Sequence, residues 1–330
     1  MKKLTLEKIK RKFRGTLVRY FRKCPYYYYG YASYRISRNK IIKDRKSNQA
    51  YFAAKPNPGA GIGHQMANWI AGYCYAKKFD LYFAHIPFSD PTWENFLGFY
   101  QDEKNFNELK KIGFKVVRIP LFDENNESEV EEIRKIVNYY REEKVIILAE
   151  QDQFYRNQYD AMEILQQKFY SCPDRINDKL IFKKENINIA IHVRRGDILQ
   201  IGKKKNPNLT MRFQGNDYFE KALNVALSKI TTKESVHIYI FSQGSENDFP
   251  EFRNYKNVHF CLDMNAKNSF LHMVNADVLI TSKSSFSYKP ALLNKGIKIC
   301  PINFWHGYPE NQSWVLLNDD GEVMSKAWDT

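Results

Sequence analysis

The chain has 330 residues, is 43% hydrophobic and carries a formal net charge of +14. That length suits two domains of ordinary size, and the apolar fraction calls for a packed core. No apolar run reaches bilayer-spanning length, the basic N-terminus lacks the apolar core and cleavage site of a signal peptide, and no C-x-x-C pair points to a zinc knuckle.

Most of the 22 Tyr and 23 Phe are expected in the core. The five cysteines, Cys24, Cys74, Cys172, Cys261 and Cys300, are odd in number and far apart. They fit free thiols in a reducing, cytoplasmic compartment. The positive charge is uneven, because Lys and Arg crowd residues 2–23 against the single acid Glu7. Leu6, Ile9, Phe13, Leu17 and Phe21 recur there at three- and four-residue spacing. That spacing predicts an amphipathic helix with a basic face. Two uses stay open: an anchor on an anionic membrane surface, which would make the protein peripheral on an inner membrane face, or a solvated basic arm. The following tyrosine-rich stretch, PYYYYGYASYR, has no period, so a lid, an acceptor contact and ordinary packing all remain open.

From about residue 50 strand and helix signals alternate. Strands are expected at 51–54, 80–84, 115–119 and 145–149, and helices at 65–78, 127–140 and 160–170. In the second half, strands are expected at 187–193, 236–241, 258–262, 278–281 and 297–301, with helices at 216–228, 269–275 and 287–294. This alternation predicts an α/β fold with Rossmann-like domains. The polar, proline-broken stretch 171–186 marks a boundary. The expected organisation is a basic, Tyr-rich segment 1–48 and two Rossmann-like domains, 49–180 and 181–330.

Ligands of open α/β sheets bind beyond the C-terminal strand ends. The strand in INIAIHVRRGD delivers His192, Arg194, Arg195 and Asp197 to such an end. An arginine fork binds two phosphate oxygens and keeps its charge, so it suits a departing diphosphate. Strand alternation sends Arg194 and Arg195 to opposite faces, so one is expected to meet phosphate and the other to hold the loop, with Asp197 as its candidate partner. Ser242–Ser245 follow another strand, where a polar loop can meet a base or ribose or simply form a turn. Ser282, Ser284, Ser285 and Ser287 cluster where a strand passes into a helix, a place for an anion or for plain N-capping. In PNPGAGIGHQMAN, Gly59, Gly61 and Gly63 allow close backbone approach before a helix. The full dinucleotide fingerprint and the P-loop lysine are absent. The chain has no D-x-D and no H-x-x-x-H spacing. The consistent expectation is a reaction without metal or other cofactor, with arginine as the electrophile.

Gly61-Ile-Gly-His-Gln-Met66, Ile191-His-Val-Arg-Arg-Gly-Asp197, Phe241-Ser242 and Ser284-Ser-Phe-Ser287, in that order, resemble the motifs of the α-1,2-fucosyltransferase family, within a wider group that includes α-1,6- and protein O-fucosyltransferases. The resemblance covers about residues 55–305. It implies a GT-B-like fold of two Rossmann-like domains facing a cleft, GDP-β-L-fucose as donor, inversion at the anomeric carbon and no metal. It also implies that Arg194 meets the donor diphosphate and that His192, Ser284 and Ser285 contact the donor. Arg195, Ser242, Phe286, Gly61 and Gly63 complete the expected donor-binding set. Three positions depart from the family pattern: His64 replaces an asparagine, Gln243-Gly244 replace acids, and Tyr288-Lys289 replace a tryptophan pair. Asp197 and His64 are the candidate bases. The expected partners are a GDP-sugar, a glycan or lipid-linked glycan acceptor, and an anionic membrane surface at residues 1–23. The alternatives are a transferase of another GDP-deoxysugar, a non-catalytic sugar-binding protein, or a nucleic-acid-binding protein. Against the last, the charge is concentrated at one end and no RRM or KH signature is present.

Overall fold

The computed structural model describes residues 13, 15–18, 20–24, 26–38, 49–56, 59–99, 102–150, 155–196 and 211–324. The chain divides into two units, Met1–Asn95 with Phe99–Ala161, and Phe96–Gly98 with Met162–Thr330. Both contain parallel sheets with intervening helices, the expected α/β class.

In chain order the first unit contains α1 (Ala32–Arg38), β1 (Tyr51–Ala54), α2 (Ile62–Lys78), β2 (Tyr82–His85), α3 (Pro91–Leu97, whose last two residues belong to the second unit), β3 (Lys104–Asn105), α4 (Phe106–Lys111), β4 (Lys115–Arg118), α5 (Glu127–Tyr140) and β5 (Val145–Ala149). Its strand order is β3-β2-β1-β5-β4, all pairs parallel. β5 is apolar throughout because it lies inside the sheet with both faces covered. Val145 and Ile147 join Phe52, Phe79 and Val137 in one cluster, while Ile146 and Leu148 join Ala53 and Leu109 in another. α5 forms where Val130, Ile133, Val137 and Tyr140 recur on one face, and Asn126 caps it by accepting from the Glu129 amide.

The tyrosine-rich segment is only partly packed, with Tyr26 and Tyr29 exposed. Tyr27 and Tyr34 are buried. The Tyr27 hydroxyl accepts from the Leu121 amide at 3.0 Å, and Ser33 donates to the Arg118 carbonyl at 2.6 Å. The amphipathic expectation for residues 1–23 is only partly visible, since Leu6 and Ile9 lie outside the described residues. Phe13, Leu17 and Phe21 fall on helical residues and are exposed. Among the described residues no helix is long and apolar enough to cross a membrane. All five cysteines are free thiols, and only Cys24 is not buried.

α2 packs closely on β1. A Cβ at Gly72 would stand 2.9 Å from Phe83 Cε2 and 3.0 Å from the Ala54 amide nitrogen. Gly72→Val is therefore expected to cost about 1–3 kcal/mol by overpacking, read as a lower urea midpoint at unchanged slope. An unaltered midpoint would show that the helix can shift away from the strand.

The second unit contains α6 (Met162–Ser171), β6 (Asn186–His192), α7 (Asn216–Lys229), β7 (Ser235–Ser242), β8 (Val258–Leu262), α8 (Ala266–Asn275), β9 (Val278–Ile280), α9 (Ser285–Leu293), β10 (Ile297–Pro301) and β11 (Trp314–Leu317). Its order is β8-β7-β6-β9-β10-β11, all parallel. The first strand sits in the middle, the next two lie to one side, and the last three to the other. This is the doubly wound order of dinucleotide-binding sheets, which reverses direction between β6 and β9. Ile189, Ile191 and Val193 face Phe219, Leu223 and Phe252 in the core on one side.

Candidate functional site

The reversal between β6 and β9 is where such a sheet opens a crevice for a ligand. Both adjoining strand ends carry polar residues. β6 ends at His192, and its backbone continues into Val193, Arg194, Arg195 and Gly196. β9 ends at Ile280 and leads through Thr281, Ser282 and Lys283 to Ser284, the N-cap of α9.

The two strand ends are tied together. His192 Nδ1 lies 2.8 Å from Ser282 Oγ, and Ser282 Oγ lies 3.3 Å from Ser287 Oγ. Arg194 Nη1 donates to Ser284 Oγ at 3.1 Å, and the same oxygen accepts from the Phe286 amide at 3.2 Å. A half-buried guanidinium thus stands beside the first turn of α9, where the helix dipole adds positive potential. Ser285 and Phe286 form that first turn, and the Phe286 ring packs on the His192 imidazole with centroids 5.5 Å apart.

Arg195 turns elsewhere. It is 7% exposed, and its guanidinium donates to the carbonyls of Arg194 and Gln214 at 3.0 Å each and to Asn216 Oδ1 at 2.5 Å. It also covers the Phe213 ring at 5.0 Å. The two arginines separate as strand alternation predicts, but the loop partners found are Gln214 and Asn216. Asp197 lies outside the described residues. Ser242 donates to the Val193 carbonyl at 2.8 Å and so joins the ends of β6 and β7.

Together His192, Arg194, Arg195, Ser242, Gln243 and Phe286 line an open cavity of about 280 Å³ that is completed by Met264, Ala266 and Ser269. Gln243 belongs to the Ser242–Ser245 loop singled out in the sequence, whereas Met264, Ala266 and Ser269 were missed. Gly196 has φ +68°, and a Cβ there would lie 1.9 Å from Gln243 Oε1, so the glycine of R-R-G-D makes room for that amide. Asp263 is exposed at φ +57°, at the end of β8, and its amide donates to the Ser242 carbonyl at 3.1 Å. Aspartate tolerates the left-handed region better than most residues, and no sequence pattern announces this turn. Tyr288 and Lys289 are both buried inside α9; the Tyr288 hydroxyl donates to the Gly307 carbonyl at 2.6 Å, and burial holds the Lys289 ammonium well below the ordinary lysine pKa.

Burial, and after it the Arg194 charge, push His192 from 6.5 down to about 3. The imidazole is therefore neutral and acts as a hydrogen-bonding ring rather than a cation. Between pH 6.5 and about 3 the unfolded chain binds this proton and the folded chain does not, so stability falls as pH falls through that window. His192→Gln is expected to flatten the stability profile there by one proton, about 1.4 kcal/mol per pH unit. Parallel profiles for parent and variant in urea titrations from pH 4 to 6 would contradict a neutral His192.

Gly61, Gly63 and His64 lie in the first unit, where Gly61 caps α2 and Gly63 and His64 sit in its first turn. His64 is half-buried. Its neighbour Gln65 donates to the Ala60 carbonyl at 2.8 Å and to Ser89 Oγ at 2.9 Å, and accepts from the Ser89 amide at 2.7 Å. The glutamine of G-x-G-H-Q therefore fixes the loop that presents the glycines. The same unit buries a polar cluster that the sequence does not reveal, with His85 Nε2 2.7 Å from Glu94 and His85 Nδ1 3.5 Å from Glu103.

No protein-family model matches the chain, and no curated protein matches it. Among solved structures it is similar to NodZ α-1,6-fucosyltransferase soaked with GDP-fucose, at 11% identity over 76% of this chain and 93% of that one, with a TM-score of 0.44. It is also similar to POFUT1 in complex with GDP, at 12% identity over 77% and 99% of the two chains, with a TM-score of 0.46. A third is the fucosyltransferase NodZ from Bradyrhizobium, at 10% identity over 85% and 98%, with a TM-score of 0.41. Likenesses at these identities and TM-scores carry no inference about the reaction, which has to come from the chain's own residues.

Proposed function

We propose that this protein is a glycosyltransferase that moves L-fucose from GDP-β-L-fucose to a glycan hydroxyl with inversion, the α-1,2 linkage being the one its motif resemblance favours. The observation that carries the reading is the placement of Arg194 against Ser284 at the N-terminus of α9, at the reversal of strand order. That pairing offers a diphosphate one fixed cation, hydroxyl groups and the positive end of a helix on one spot. His192, Ser285 and Phe286 stand around it. Gln243, Asp263 and the start of α8 offer polar groups to a base or ribose.

In the reaction the acceptor oxygen forms a bond to the anomeric carbon while the bond from that carbon to the β-phosphate oxygen breaks. GDP departs with the bonding electrons, and the acceptor proton goes to a base, His64 or Asp197. Charge grows on the leaving oxygen during the step, so Arg194 stabilises the transition state more than the bound donor. Arginine fills the electrophile's role here, and the proposed reaction runs without a divalent ion. The acceptor is proposed to be a lipid-linked glycan, with residues 1–23 resting on an anionic membrane surface. The exposure of Phe13, Leu17 and Phe21 supports that placement.

A donor screen by thermal shift tests the reading. GDP and GDP-fucose are expected to raise the melting temperature in the presence of chelator, by the equivalent of about 2.7 kcal/mol at a hundredfold excess over Kd. UDP and CDP should leave it unchanged. Stabilisation by UDP but not GDP would overturn the donor assignment, and stabilisation by another GDP-deoxysugar but not GDP-fucose would move the proposal to that sugar.

A further inference from the structure

The first unit holds a groove of about 850 Å³, with Tyr26, Tyr27, Tyr31 and Tyr140 among its walls. Its size falls in the range of sites that enclose whole small molecules, roughly 300–1,000 Å³. Tyr26 is 73% exposed, while Tyr27 and Tyr140 are buried. One end of the groove is polar. There Arg118 Nε lies 3.2 Å from Glu150 Oε2, and the Tyr31 hydroxyl lies 3.1 Å from the Tyr27 hydroxyl. Burial first, then the Tyr27 hydroxyl and the Glu150 charge, push the Tyr31 phenol up, so it stays a neutral hydroxyl.

The polar end has a definite place in the sheet. Arg118 closes β4, and Glu150 follows β5 directly. The register pairs Arg118 with Leu148, and Ala149 with Ala54, the last residue of β1. The Lys55 amide, where the chain leaves β1 toward the glycine loop, donates to the Ala149 carbonyl at 2.8 Å. Arg118 and Glu150 therefore stand at the C-terminal edge of the parallel sheet, the edge at which open α/β sheets take their ligands. β4 is two strands from β1, about 10 Å at the usual spacing. The lining narrows the class of ligand. Aromatic faces beside hydrogen-bonding groups suit a molecule with an apolar face and a polar rim, which describes a pyranose ring. Arg118 and Glu150 carry opposite charges, so together they offer donors and acceptors to hydroxyls without attracting a net anion. A hydrocarbon chain would cover the Glu150 carboxylate, whose side chain keeps 18% exposure, and hydrogen-bond to nothing there.

We propose that this groove is a subsite for a neutral sugar of the acceptor glycan, which lies against the tyrosine walls and hydrogen-bonds through its hydroxyls to Tyr31, Arg118 and Glu150. The subsite presupposes the transferase reading and places part of the acceptor away from the reacting hydroxyl. A short oligosaccharide is long enough to run along the sheet edge from β4 toward the glycine loop. Binding energy gathered at such a remote sugar can be used at the reacting centre, so extended acceptors are preferred to single sugars.

Cys24 lines the groove and is the one cysteine not buried, so its alkylation by N-ethylmaleimide reports occupancy. The full chain is alkylated with GDP present and, in turn, lactose, N-acetyllactosamine, chitotriose, maltotriose or 1-octanol. At least one of the four neutral oligosaccharides is expected to slow the reaction severalfold. In Glu150→Gln the same protection should need about tenfold more of that sugar, the loss of one hydrogen bond to a charged group. Val117 is a half-buried lining residue, and Val117→Trp, which fills the groove, should abolish protection. Calorimetric GDP binding should be equal in the parent and both variants, which shows that they are folded. If Val117→Trp fails to fold, Glu150→Gln decides. Alkylation unaffected by every sugar, or equal protection in the parent and Glu150→Gln, would overturn the subsite. Slowing by 1-octanol alone would overturn it too and give the groove to an apolar ligand. A parent that does not bind GDP would overturn the transferase reading, and the alkylation rates would still decide whether the groove holds a sugar.

Discussion

Arg194→Lys is expected to keep the fold and lose most of the activity. The substitution preserves the charge at the end of β6 but replaces a planar fork by a single ammonium, which cannot bind two phosphate oxygens in parallel. By analogy with removal of an oxyanion donor, the loss of transition-state stabilisation should be about 2–4 kcal/mol, or roughly 30- to 1,000-fold in turnover. Arg194 Nη1 donates to the cap serine of α9 at 3.1 Å, a contact an ammonium can also make, and the urea midpoint of the unliganded protein is expected to stay close to the parent value. A folded variant with near-normal turnover would remove Arg194 from the chemistry.

The neighbouring arginine should behave in the opposite way. Arg195→Leu removes the donors that hold the Gln214 carbonyl and the Asn216 amide oxygen, and Gln214 is only 6% exposed. A buried acceptor left without its donor costs about 1–3 kcal/mol. With one buried and one half-buried partner the expected destabilisation is about 1–3 kcal/mol, and roughly 2–4 °C of melting temperature accompanies each kcal/mol in a unit of this size. Gln214 Oε1 also accepts from the Lys283 amide at 2.7 Å, so loosening the loop should disturb the Ser282–Ser284 turn and weaken donor binding indirectly. Arg195→Lys should recover part of the stability. An unchanged melting temperature for Arg195→Leu would mean that the loop is held by other contacts.

How far the sequence discloses this molecule depends on the range of each interaction. α5 and β5 are found with the boundaries their apolar patterns predict, because one helical face and one doubly covered strand are properties of contiguous residues. α2 begins at Ile62 rather than Gln65, since Gly63 is a poor helix former by propensity but is buried in the first turn. α1, α3 and α4 have only six or seven residues, too few to show a period, and β3 has two. None of these elements was legible. The strand-end rule located Arg194 and the serine cluster correctly on the sheet edge, because it needs only the order of elements. It could not show that Gly196 accommodates Gln243, that Arg195 clamps residues 214–216, or that Asp263 is held at positive φ. Those relations join residues distant in sequence through packing, and a single chain carries no local trace of them.

The proposed reaction turns on a diphosphate meeting Arg194. The most direct measurement is a calorimetric titration of GDP into the parent and into Arg194→Lys, with chelator present. The predicted result is one GDP site per chain in the parent, retained in chelator, and clearly weaker binding in the variant. Equal affinity of both proteins for GDP, or no GDP binding by a folded parent that binds UDP, would contradict it.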